Sequence, residues 1–141
     1  MISLTIHNKK VNNKEQLNVL IIDDCITIAR KVYELISENE LVHVLGQAKS
    51  VREGLDMVTK LNPDVVFLDI NLPDGTGMEI LVYLKKIKPN VKVIVFSNSA
   101  NNLYKRIFTE KGSDYFLDKS KDFTMIPELV SLIITQQNSK L

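Results

Sequence analysis

Five short apolar runs alternate along the chain with longer stretches in which apolar residues return every three or four positions. The runs Leu17–Ile22, Val65–Leu68 and residues 91–96 are rich in β-branched residues and shorter than a typical helix, so they predict strands buried mostly on both faces. Residues 41–45 form a weaker run, with His43 in the middle, and suit a sheet edge; residues 115–117 are the fifth and shortest strand. Between them, Ile28, Val32, Leu35 and Ile36 share one helical face, as do Val51, Leu55 and Val58. The same holds for Ile80, Leu81, Leu84 and Ile87, and for Leu103, Tyr104, Ile107 and Phe108. Ser50 with Glu53 and Thr76 with Glu79 have the spacing of capping boxes, and Gly112 stands where a left-handed residue would end the fourth helix. Pro127 is tolerated only in a first turn, which places the last helix at about residues 124–137.

The pattern is (βα) five times. Strands separated by helices of this length pair in parallel through right-handed crossovers, with helices on both faces, giving a doubly wound α/β sandwich. In such sheets the ligand crevice lies outside the C-terminal ends of the strands. The residues at those ends are Asp23 and Asp24 after the first strand, Asp69 after the third, Ser97 after the fourth, and Asp118 leading into Lys119 after the fifth. Three carboxylates close together in a partly desolvated crevice repel one another, so one takes up a proton or a hard cation neutralises them. Mg²⁺ suits such a set, since it accepts one or two carboxylates, a carbonyl and several waters. Lys119 adds a positive charge that a phosphoryl oxygen could share.

Composition narrows the function classes. The 141 residues suffice for one domain with a sizeable core. With 18 Lys and Arg against 17 Asp and Glu, the formal net charge of +1 provides no bulk field for nucleic acid or an anionic membrane. No apolar run approaches the roughly 18–20 residues of a membrane span, and residues 1–16 lack a secretory hydrophobic stretch, so the expected location is the cytoplasm. The single cysteine, Cys25, forms no internal disulfide and no zinc cluster; it reads as a small residue opening the first helix. Residues 1–16 form an extension in which Ile2, Leu4 and Ile6 alternate, leaving two readings, a flexible tail or an added edge strand. His7 reads as solvated and His43 as an edge-strand residue.

Residues 17–141 resemble the receiver domain of bacterial two-component response regulators. The resemblance rests on the run from Val19 to Asp24, on Pro63 through Asp69 to Gly77, on Val93 to Ser97, and on Gly112 to Lys119. The separations of 45 residues from Asp24 to Asp69, 28 to Ser97 and 22 more to Lys119 are similar to those of the family. It implies a five-stranded parallel sheet of flavodoxin-like order 2-1-3-4-5. It also implies that Asp69 is the phosphoacceptor, attacking the phosphorus of a phosphohistidine on a sensor histidine kinase or a histidine phosphotransfer protein. Asp24 would ligate Mg²⁺ directly, Asp23 through water, Asn71 through its backbone carbonyl, and Lys119 would pair with Asp69 and later with a phosphoryl oxygen. Ser97 and Phe116 resemble the switch pair, in which the hydroxyl moves toward the phosphoryl group and the ring turns inward.

Three positions depart from the family pattern. Asn98 follows the switch hydroxyl where a small residue is usual, which implies slow loss of the phosphoryl group. Ser120 follows Lys119 where proline is frequent, so a cis bond there is not implied. Phe116 replaces the commoner tyrosine and lacks its hydroxyl. The expected function is a stand-alone phosphorylation switch, not an enzyme, that acts on a downstream protein or relays its phosphoryl group; a phosphorylation-dependent homodimer is compatible with it. A phosphorylation-independent adaptor with the same fold is the alternative, disfavoured because Asp23, Asp24, Asp69, Ser97 and Lys119 are all present. An aspartyl-phosphate phosphohydrolase would want a second acid two residues after the nucleophile, where Asn71 stands.

Overall fold

The computed structural model describes residues 16–98 and 101–139. Its principal strands are β1 (Leu17–Ile22), β2 (Val42–Ala48), β3 (Val65–Leu68), β4 (Lys92–Ser97) and β5 (Tyr115–Asp118). The helices between and after them are α1 (Ile26–Ser37), α2 (Val51–Leu61), α3 (Met78–Ile87), α4 (Asn102–Glu110) and α5 (Ile126–Asn138). The five strands form one parallel sheet in the order β2-β1-β3-β4-β5, as expected. The alternation along each strand divides the core. Leu20, Ile22, Val66, Leu68, Val93 and Val95 face α2, α3 and Phe108 of α4. Leu17, Val19, Ile21, Val65, Phe67, Ile94 and Phe96 face α1 and α5. Each such side chain removed from water contributes roughly 1.5–3 kcal/mol, and the two apolar layers hold the strand ends in register.

The expectations for β1 and β3 coincide with the observed bounds. The edge strand β2 runs three residues further than its apolar pattern. Leu45 is an extra residue against β1, since Val19 pairs with Val44 and Leu20 with Gly46, and pairing continues to Ile22 and Ala48. Ser50 caps α2 as expected, its Oγ accepting from the Glu53 amide at 3.0 Å, while Glu53 accepts from the Lys49 amide at 2.8 Å. Thr76 does not cap α3. It pairs with Asn71 in a two-residue hairpin, Asn71–Leu72 against Gly75–Thr76, and Gly77, already helical at φ −63°, precedes α3. The Gly77 amide donates to the Ile70 carbonyl at 2.7 Å, so the backbone beside Asp69 sets the start of this helix. Gly112, at φ +109°, ends α4 as expected: its amide bonds Thr109 O and the Ser113 amide bonds Phe108 O, the Schellman pattern. A short 3₁₀ turn, Phe123–Met125, precedes α5, and Pro127 lies in the first turn of that helix. The alternation at Ile2, Leu4 and Ile6, and His7, lie outside the described residues. His43 is exposed on β2. Among the described residues no helix is long and apolar enough to cross a membrane.

Candidate functional site

At the C-terminal rim of the sheet, backbone bonds to neighbouring strands fix two of the acidic residues, Asp23 and Asp69. The Asp23 amide donates to Ala48 O at 2.9 Å and the Asp69 amide to Ile22 O at 2.9 Å, so both acids leave the sheet at neighbouring positions. Asp23 is held further by Gln47, whose Nε2 donates to its carbonyl at 2.8 Å, and by the Cys25 amide, which donates to Oδ1 at 2.9 Å. The Lys119 amide donates to Ser97 O at 3.1 Å, carrying the lysine to the same rim. Carboxylate oxygens of Asp23, Asp24 and Asp69 lie within 4.8 Å of one another, with Asp23 and Asp69 buried and Asp24 exposed. The Lys119 ammonium sits 2.6 Å from Asp23 Oδ2 and 3.3 Å from Asp69 Oδ2. It therefore belongs to Asp23 first and to Asp69 second, where the sequence alone suggested only Asp69.

The electrostatics follow from that geometry. Burial, the largest influence, and the nearby Asp23 push the Asp69 carboxyl above the usual carboxylate range, and Lys119 pulls it back only in part. Burial by itself would lower Lys119, but its hydrogen bond to Asp23 and the charges of Asp69 and Asp23 outweigh burial and raise it. The ammonium therefore stays charged, and it favours Asp23 because that contact is shorter. Three carboxylates and one ammonium leave two negative charges in the pocket, all on hard oxygen donors. That donor set fits a divalent magnesium ion, which Asp23, Asp24 and Asp69 would hold.

The other expected residues fall around this core. Asn71 is exposed at the start of the hairpin two residues after Asp69. Ser97 is buried at the last position of β4, paired in register with Asp118. Phe116 is half-buried on β5, and its ring meets Phe108 of α4 edge-on at 6.3 Å and 65°. Asn98 is exposed immediately after Ser97, and Cys25 is the exposed residue that precedes α1. Among the described residues no peptide bond is cis, so Lys119 joins Ser120 through a trans bond.

Two supports escape the motif reading. Asp74, in the hairpin turn, accepts from the Val51 amide at 2.7 Å and the Arg52 amide at 3.1 Å, tying the loop after Asp69 to the first turn of α2. Those two backbone bonds hold its carboxyl below the usual range. Asp118 Oδ1 accepts from both the amide and the hydroxyl of Ser120, at 2.7 and 2.6 Å. The spacing Asp118-Lys119-Ser120 is the local signal for such an Asx turn; Asp74 carries none, because its partners are 22 and 23 residues away.

Comparison with known proteins agrees with this geometry. Residues 19–131 match the response regulator receiver domain family. An uncharacterized response regulatory protein of Vibrio cholerae is 32% identical over 120 residues, covering 85% of this chain and 49% of that protein. The sensory transduction protein LytT of Bacillus anthracis is 36% identical over 101 residues, covering 72% of this chain and 41% of its own. The chain thus spans about half or less of the length of these relatives. Among solved structures, the response regulator domain of Thermotoga maritima CheB superposes with a TM-score of 0.75 at 27% identity, covering 87% of this chain and 97% of that one. With the acidic rim, the lysine and the strand order already in place, the match over residues 19–131 makes the chain a member of the response regulator receiver domain family of two-component signalling.

Proposed function

We propose that residues 17–141 act as a receiver that takes a phosphoryl group onto Asp69 and thereby changes the surface it offers to a partner. The observation that carries this reading is the buried Asp69 carboxylate with the Lys119 ammonium 3.3 Å away and two more carboxylates beside it. A carboxylate oxygen of Asp69 attacks the phosphorus of a phosphohistidine. The new O–P bond forms as the P–N bond breaks, and the imidazole leaves with the electron pair and takes a proton from solvent. Phosphoryl transfer asks the protein mainly for alignment and charge. Lys119 supplies a fixed ammonium for a phosphoryl oxygen, Asp23 holds that lysine, and Asp24 and Asn71 complete the ligand set. Bound Mg²⁺ supplies neutralisation of the charge on the equatorial oxygens. Ser97 bonds the new oxygens, and Phe116, in contact with Phe108, passes the change to α4.

In this reading the chain is not itself an enzyme toward a separate substrate, works in the cytoplasm, and receives its phosphoryl group from a sensor histidine kinase or a histidine phosphotransfer protein. Its output is a downstream protein or a second copy of the chain. The family assignment and the intact residue set support this. Incubation with Mg²⁺ and acetyl phosphate or a phosphorylated kinase, read by intact mass, should add one phosphoryl group to the protein and none to Asp69→Asn. Failure of every donor, or equal modification of the Asn variant, overturns the reading.

A further inference from the structure

The β5–α5 turn holds Lys119 from both sides. Its flanking residues bond each other. Asp118 Oδ1 accepts from Ser120 N and Ser120 Oγ, the Asp118 amide donates to Asp122 Oδ2 at 2.8 Å, and the amides of Lys121 and Asp122 return to the Asp118 carbonyl at 3.2 and 2.9 Å. The lysine between them is buried, its amide bonded to Ser97 O and its ammonium between Asp23 and Asp69. Placing the ammonium means ordering four side-chain torsions on top of the backbone, so a backbone already fixed leaves only the side-chain cost. Here the backbone on both sides of Lys119 is trans, and the residues flanking it are tied together by the Asp118 carboxylate.

We infer that Asp118 is a positioning residue for the phosphotransfer site: through its paired bonds to Ser120 it fixes the backbone that aims the Lys119 ammonium at Asp23 and Asp69. The inference rests on the phosphoacceptor reading for its catalytic consequence, but the aim of Lys119 is a property of the resting protein. The role belongs to the acceptor oxygen. An asparagine at position 118 keeps Oδ1 and should serve; an alanine should not. The Ser120 bonds also hold the Asp118 carboxyl below its usual range, as bonds to a charged acceptor do.

Two measurements test this on the full chain. In the first, reductive methylation with formaldehyde and cyanoborohydride is followed at Lys119 by peptide mass spectrometry, with exposed Lys60 as the internal reference. Asp118→Ala should expose the Lys119 amine and speed its modification about ten-fold relative to Lys60, while Asp118→Asn stays within about two-fold of the parent. An unchanged rate in Asp118→Ala overturns the inference whether or not the protein accepts phosphate. In the second, phosphorylation by acetyl phosphate should slow about ten-fold in Asp118→Ala, with no further loss when the same change is made in Lys119→Ala. A full effect in the Lys119→Ala background means Asp118 does not act through Lys119 and also overturns it. A parent protein that takes no phosphoryl group would instead sink the phosphoacceptor reading and leave the methylation result decisive here. Should Asp118→Ala lose its circular dichroism, Ser120→Ala, which removes one of the two bonds, should give an intermediate methylation rate; a parental rate overturns the inference.

Discussion

Burial and the neighbouring Asp23 both work against a charged Asp69, and Lys119, whose shorter contact is to Asp23, offsets them only in part. An acid whose folded pKa is raised destabilises the fold above that pKa and ceases to do so once pH falls below its unfolded value, where it is protonated in both states. Asp69→Asn should therefore raise the melting temperature of the metal-free protein at neutral pH. The rise should be no more than about 2–4 °C, because water at the open rim screens the charge. The gain should vanish below about pH 4. Thermal melts in a chelator across pH would show it, and a lower melting temperature at pH 7 would contradict it. Gly77 is constrained for a different reason. Its φ of −63° suits any residue, but a Cβ there would run into the Asp69 carbonyl oxygen and lie 3.0 Å from Leu68 Cγ. Gly77→Ala should cost about 1–3 kcal/mol in urea unfolding and, on the proposed phosphoacceptor role of Asp69, slow phosphorylation as well, because the obstructed atom is the Asp69 carbonyl oxygen.

At the scale of elements, α4 differs from its neighbours. Of its nine residues only Phe108 is buried, while Leu103, Tyr104 and Ile107 are exposed. Helix α3 buries Ile80, Leu81 and Leu84 completely. Local opening costs least where few apolar contacts hold an element. Hydrogen exchange should therefore find α4 amides exchanging at least about ten-fold faster than those of α3; equal protection would contradict this. These elements were legible to different degrees. The ends of β1 and β3 show in the sequence because an apolar run stops at a carboxylate. The last residues of β2, Gly46, Gln47 and Ala48, show no strand pattern, because pairing with Leu20–Ile22 imposes their conformation. Thr76 has the sequence of a helix cap, but the hairpin with Asn71 takes it first.

For the molecule as a whole, (βα)5 periodicity was enough to place Asp23, Asp24, Asp69 and Lys119 on one rim, since a parallel sheet sends every strand's C-terminal end the same way. The sharing of the lysine was not legible, because it depends on side-chain distances of tenths of an ångström that no spacing encodes. Nor was the tie from Asp74 to α2, whose partners meet only after folding. That tie gives the molecule the mechanics of a vise. On one side the loop after Asp69 is bolted to α2, the fixed jaw; on the other, β5 meets α4 through the edge-on contact of Phe116 and Phe108, the jaw with fewer buried residues behind it. On the proposed switch, movement started at Asp69 is therefore expected on the α4 side, where only Phe108 is buried.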